Sequence, residues 1–216
     1  MSKVQKFATE VAGRSLNVEI GKLATQAHGS VRVQYGDTVI LATAVQATVA
    51  RDGIDYFPLM VEHEERLYAA GKIKGSRFIK REGRPTDEAI LKARLLDRSL
   101  RPLFKDAERR DVQVVVTVLS VDQENDPDVP ALLGAALALM ISPITWGGPV
   151  ASVRVGRVGG ADVGRLASRS LPMREMYYKC FVTAPARWAP GSLTLRPQRP
   201  PGHACGVTIS ALPRSV

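Results

Sequence analysis

Thr38-Val39-Ile40-Leu41-Ala42-Thr43-Ala44-Val45 is an almost wholly apolar run that follows a Gly36-Asp37 turn. Just before the turn, Val31, Val33 and Tyr35 alternate with polar residues. Alternation at period 2 marks a strand with one covered face. A strand apolar at every position needs cover on both faces, and Gly-Asp suits the tight connection of a hairpin. This pair predicts a central hairpin with its second strand buried on both sides.

Other segments extend the pattern. Leu16, Val18 and Ile20 alternate as a half-buried strand, and Phe57-Pro58-Leu59-Met60-Val61 reads as another. Pro58 lacks an N–H to donate, which suggests an edge position or a strand start. A helix over 86–101 follows, with Thr86 as N-cap and Asp87 and Glu88 in its first turn. Ala89, Ala93, Leu96, Leu100 and Leu103 make its core face, and Pro102 ends it or bends its last turn. Residues 112–119 form a buried strand. Asp128 then caps a second helix with Pro130 in its first turn and Leu132, Leu133, Ala136, Leu137 and Met140 inside. Ala151-Ser152-Val153-Arg154-Val155 resumes a strand. Strands first, then strands alternating with helices, predict an α+β fold: an antiparallel-rich sheet with helices on one face.

The chain of 216 residues carries a formal charge of +9, with a pI near 9.9, which points to an anionic partner. The charge is uneven: residues 159–216 hold 8 Lys+Arg against 2 Asp+Glu, so the first 158 residues contribute only +3. The same stretch holds 7 of the 14 prolines, both cysteines (Cys180 and Cys205) and no apolar period sustained beyond Tyr177-Tyr178-Lys179-Cys180-Phe181-Val182. It is expected to be a disordered Pro/Arg-rich tail, with 1–158 as the folded body. Two cysteines are too few for a disulfide framework, no apolar leader follows Met1, and the apolar run 131–141 is far short of the ~20 residues that cross a bilayer. These features lead us to expect a cytoplasmic chain without a membrane partner.

The candidate site lies in a basic loop that runs into the first helix. Phe78, Lys80, Arg81 and Arg84 precede the helix, and Arg94, Arg98 and Arg101 stand at i, i+4 and i+7 within it. That spacing stacks three guanidinium groups on one face, beside a helix start whose free N–H groups favour anions. Cations with one aromatic suit a phosphodiester backbone and an unstacked base, so single-stranded RNA or a phosphate-rich ligand leads. The alternative is a solvated basic face. The acids of Asp122-Gln123-Glu124-Asn125-Asp126-Pro127-Asp128 lack calcium-loop spacing, and a turn with a helix cap accounts for them. In Glu62-His63-Glu64-Glu65, strand alternation sets His63 opposite Glu62 and Glu64, so no metal site or catalytic residue is assigned.

Several stretches carry a resemblance: Tyr68-Ala69-Ala70-Gly71-Lys72-Ile73, Phe78-Ile79-Lys80-Arg81-Glu82-Gly83-Arg84-Pro85, Arg94-Leu95-Leu96-Asp97-Arg98, Arg101-Pro102-Leu103-Phe104 and Gly147-Gly148-Pro149. From about Phe7 to Val158 the chain resembles the N-terminal RNase PH-like core of bacterial polynucleotide phosphorylases. The resemblance implies the ribosomal protein S5 domain 2-like fold. It also implies a phosphorolytic 3′-to-5′ exoribonuclease of mRNA degradation, with Mg²⁺ and inorganic phosphate, that releases nucleoside diphosphates. It implies a homotrimer around an RNA channel gripped by the loop at Phe78, Lys80 and Arg81, with RNA and not DNA as the partner. The family's serine motif and paired aspartates belong to a second core that this chain lacks. The family continues beyond Val158 into a strand-helix subdomain, whereas the proline-rich, acid-poor stretch here implies a shifted reading frame or a truncated gene model. The chain alone is therefore expected to be inactive, acting as an RNA-binding or assembly module or as a product without function.

Overall fold

The computed structural model describes residues 4–152 apart from 12, 51–52, 74–83, 106 and 123, and beyond these the backbone of 153–158, 161–165, 178–183, 193–197 and 207–211. Its centre is a six-stranded sheet: β1 (Gln5–Val11), β2 (Arg14–Ile20), β3 (Gly29–Tyr35), β4 (Thr38–Ala50), β5 (Leu59–Glu65) and β6 (Arg110–Ser120). The spatial order is β1-β2-β3-β4-β6-β5. All neighbours are antiparallel except β5 and β6, which are parallel and joined through helix α1 (Asp87–Leu100). The edge position expected from Pro58 is the one β5 takes.

The predicted hairpin pairs Tyr35 with Thr38 and Val33 with Ile40. Gly36 in its turn has φ +60, and a Cβ there would stand 2.7 Å from Asn125 Nδ2, so this turn needs glycine for its conformation and for its neighbour. Val31, Val33, Tyr35, Ile40, Ala42 and Ala44 join Val112, Val114, Val116 and Val118 in one buried cluster. Leu96 and Leu100 of α1 and Leu132, Ala135 and Leu139 of α2 (Asp128–Ile141) complete it. Both helices therefore cover the same face, as expected for the α+β arrangement.

The expectation of burial on both sides of β4 is corrected. Leu41 and Thr43 are half-buried, Val45 is 39% exposed and Met60 of β5 is 54% exposed, because no helix lies on that side among the described residues. Apolar alternate positions reported a strand correctly and overstated its cover.

In α1 the Thr86 hydroxyl accepts the Ala89 N–H at 3.2 Å, the expected cap. The helix passes into a 3₁₀ turn, Arg101–Leu103, with Pro102 in its first positions. Ser99 Oγ donates to the Leu95 carbonyl at 2.8 Å, so its hydroxyl is satisfied within the helix. The end of α1 is anchored by the Trp146 indole N–H donating to Leu100 O at 3.3 Å and by Phe104 against Phe57, ring centroids 4.8 Å apart. In α2 two details depart from the sequence reading. The N-cap position is Pro127, with Asp128 the first helical residue, and Met140 is 50% exposed. This helix is apolar nearly all round because it lies between the sheet and β7 (Val150–Val158), with Ser152 Oγ donating to Val129 O.

Four segments within 159–216 pair as strands. β8 (Ala161–Arg165) and β9 (Tyr178–Thr183) flank β7, and β10 (Leu193–Pro197) pairs with β11 (Val207–Ala211). Strand β9 falls on the apolar segment Tyr177–Val182 of the sequence reading; the rest of the stretch lies outside the described residues.

Candidate nucleic-acid interface

Helix α1 carries the described part of the candidate site. Phe78, Lys80 and Arg81 lie outside the described residues. Arg84 is exposed just ahead of the Thr86 cap. The first turn of the helix offers free N–H groups, although Asp87 and Glu88 there offset its pull on anions. Arg94 and Arg98 are exposed on the helix. Arg84, Arg94 and Arg98 make no hydrogen bond or ion pair with a described residue. Free guanidinium groups of this kind are available to phosphate oxygens.

The sequence stripe divides in three dimensions. A groove of about 500 Å³ runs between α1 and the edge strand β5, lined on the helix side by Ala89, Ala93, Arg94, Asp97 and Arg101. Arg98 does not line it. Arg101 has an internal role that the sequence reading did not give it. Its Nε and Nη2 donate to the two Asp97 carboxylate oxygens at 3.1 and 2.7 Å. Nη1 and Nη2 also donate to the Phe57 and Leu59 carbonyls at 3.3 and 3.1 Å. Four of the five guanidinium N–H groups are thus engaged within the chain, which leaves Arg101 little to offer RNA.

The acidic segments have structural explanations. Asp122 Oδ1 accepts the Glu124 N–H at 2.9 Å and the Asn125 N–H. Its Oδ2 accepts the Asp37 N–H at 3.2 Å and the Asn125 side-chain amide. Burial would raise this carboxyl, but the donors from Asn125, Glu124 and Asp37 outweigh it and hold the pKa below its ordinary value. Arg14, which sequence reasoning missed, reaches across from β2 to Asn125 Oδ1 and Glu124 Oε2, each at 2.8 Å. His63 is buried beneath α1 with Nδ1 4.0 Å from Glu65 Oε1, and Glu65 pairs with Lys92 of α1. Glu62 and Glu64 occupy the other face of β5, as the alternation predicted. Among the described residues no three His, Cys, Asp or Glu side chains converge as a metal site. Of these carboxylates, Asp122 is occupied by N–H donors from Asp37, Glu124 and Asn125.

Among the described residues no helix is long and apolar enough to cross a membrane. The chain is 57% identical over 157 residues to the polyribonucleotide nucleotidyltransferase of Heliobacterium modesticaldum, a match covering 73% of this chain and 22% of that protein. It is 54% identical over 183 residues to the enzyme of the same name from Thermomicrobium roseum, covering 85% of this chain and 23% of that protein. The chain spans less than a quarter of the length of these relatives. Two solved structures share the fold: the Archaeoglobus fulgidus exosome with RNA bound to the active site, at 17% identity and TM-score 0.53 over 83% of this chain and 72% of that one, and rice Rrp46, at 14% identity and TM-score 0.50 over 76% and 68%. The profile of the 3′ exoribonuclease family, domain 1, matches residues 12–145, the stretch that builds strands β2 to β6 of the main sheet and both helices, and the chain belongs to that RNase PH family.

Proposed function

We propose that this chain is the first RNase PH-type domain of a polyribonucleotide nucleotidyltransferase, a cytoplasmic phosphorolytic 3′-to-5′ exoribonuclease that works as a homotrimer with Mg²⁺. The observation that carries the proposal is the set of exposed arginines, Arg84, Arg94 and Arg98, about one helix of the family fold, none of which bonds to a described residue. The role of the chain is to hold the phosphodiester backbone of single-stranded RNA near its 3′ end. Phosphorolysis of such an RNA forms a bond from an inorganic phosphate oxygen to the terminal phosphorus and breaks the bond to the preceding 3′ oxygen. A nucleoside diphosphate leaves, and the RNA keeps its 3′ hydroxyl. Arg94 and Arg98 supply fixed positive charge to non-bridging oxygens, a binding and orienting contribution.

Fluorescence anisotropy with a labelled adenine oligoribonucleotide tests the binding role. Binding that weakens as salt rises is expected, by about 0.7 in the log–log slope for each phosphate contact. No association with the RNA at low salt would reject the proposal.

A further inference from the structure

Asp97 on α1 stands between two arginines, three residues after Arg94 on the same helix and four before Arg101 at its C-terminal cap. Both positions are within reach of its carboxylate on a helix surface. In the structure the choice is made: both Asp97 oxygens accept from Arg101, and Arg94 is left free. The other side of the Arg101 guanidinium is tied to the Phe57 and Leu59 carbonyls, at and just before the start of β5. That fourfold attachment fixes Arg101 in place, and a planar fork with a bidentate carboxylate is a geometry that lysine cannot reproduce.

We infer that Arg101 is a positioning residue that keeps Asp97 from neutralising Arg94. This rests on the reading of Arg94 as an RNA-phosphate contact, and it removes Arg101 itself from the RNA-binding set. Without Arg101 the Asp97 carboxylate turns to Arg94 and competes with phosphate for the same N–H groups. The groove then presents a closed ion pair where it presented a cation.

The test is a set of variants in the full chain, titrated with the same labelled RNA. Arg101→Ala should weaken binding roughly two- to fivefold, the scale of one exposed ion pair, and Arg94→Ala should weaken it equally. Asp97→Asn combined with Arg101→Ala should restore wild-type affinity. That double variant still lacks the bonds to Phe57 and Leu59, so the lost anchor does not account for a rescue, and Glu10→Gln with Arg101→Ala controls for charge: it regains the same net charge on β1, at the sheet edge opposite β5, and should not restore affinity. Arg94→Ala with Arg101→Ala should bind no worse than Arg94→Ala alone. Failure of Asp97→Asn to restore the Arg101→Ala variant, or additive losses in the arginine double variant, would overturn the inference and make Arg101 a direct RNA contact. An Arg94→Ala variant that binds like wild type would instead overturn the reading of Arg94 beneath it. Thermal melting of each variant checks the fold, and if Arg101→Ala does not fold, Arg101→Gln, which removes the charge and keeps a polar side chain, takes its place with the same expected rescue by Asp97→Asn.

Discussion

Gly29→Ala isolates the contact that seats α2 on the sheet. Gly29 opens β3 opposite Ala44, and a Cβ built on it falls well inside van der Waals contact of the Ala138 carbonyl oxygen. It would also lie 3.0 Å from the Ala138 carbonyl carbon and 3.1 Å from Ser142 Cβ. The obstacle is backbone in the last turns of α2, where no rotamer change makes room, so β3 and the helix must part by roughly 1 Å. Overpacking of this kind costs about 1–3 kcal/mol. For a chain of this size each kcal/mol lowers Tm by about 2–4 °C, so a fall of roughly 2–12 °C is expected in a calorimetric or circular-dichroism melt. Gly13→Ala is the control: φ there is +77 with nothing within 4 Å of the added Cβ, so only left-handed backbone strain of about 1–2 kcal/mol applies. A Gly29→Ala protein that melts within a degree of wild type would refute the reasoning, since it would mean that α2 does not approach β3 as described.

Glu108 gives a prediction in pH. The Arg110 guanidinium grips both its oxygens at 2.8 Å, and against the opposing effect of burial this and the backbone N–H groups of Arg110 and Arg109 hold its pKa down from 4.5 to about 2. A lowered carboxylate pKa contributes stability above the unfolded value and loses it as pH falls from about 4.5 towards 2. Discounted for solvent screening, Glu108→Gln should destabilise the chain by about 1 kcal/mol at pH 7 in urea unfolding, with the gap to wild type narrowing by pH 3; a gap constant with pH would contradict the assignment. Incubated with poly(A), phosphate and Mg²⁺, the chain alone should release no ADP, because RNA is held without a positioned nucleophile. ADP release lost in an Asp126→Ala variant would show the acidic loop to be catalytic.

The sequence made some of this legible because the signals were local. The Thr86 cap, the Gly36-Asp37 turn and the alternation at Val31, Val33 and Tyr35 each depend on residues close in the chain, and each appears in the structure. Strand β1 escaped notice because it is exposed on nearly every position, so burial imposes no period on its sequence. The missing cover over Leu41 and Val45 was also illegible: an apolar run records that a surface avoids water and does not say what lies on it. Arg14 could not be placed in advance, because its partners Glu124 and Asn125 lie more than a hundred residues away. Arg101 is the instructive case. Asp97 and Arg101 form an i,i+4 pair with the acid first, a recognisable helical ion pair. Reading the arginines alone as a stripe left that acid out.

RNA binding by this chain depends on Arg94 and Arg98 meeting phosphates, and the salt dependence of binding measures this directly. Each phosphate contact to a single strand contributes about 0.7 to the slope of log affinity against log salt concentration. Replacing both arginines by alanine should make the slope shallower by about 1.4, with the thermal melt unchanged because neither side chain bonds to a described residue. A slope equal to that of the wild type would contradict the account and return this helix to the status of a solvated basic face.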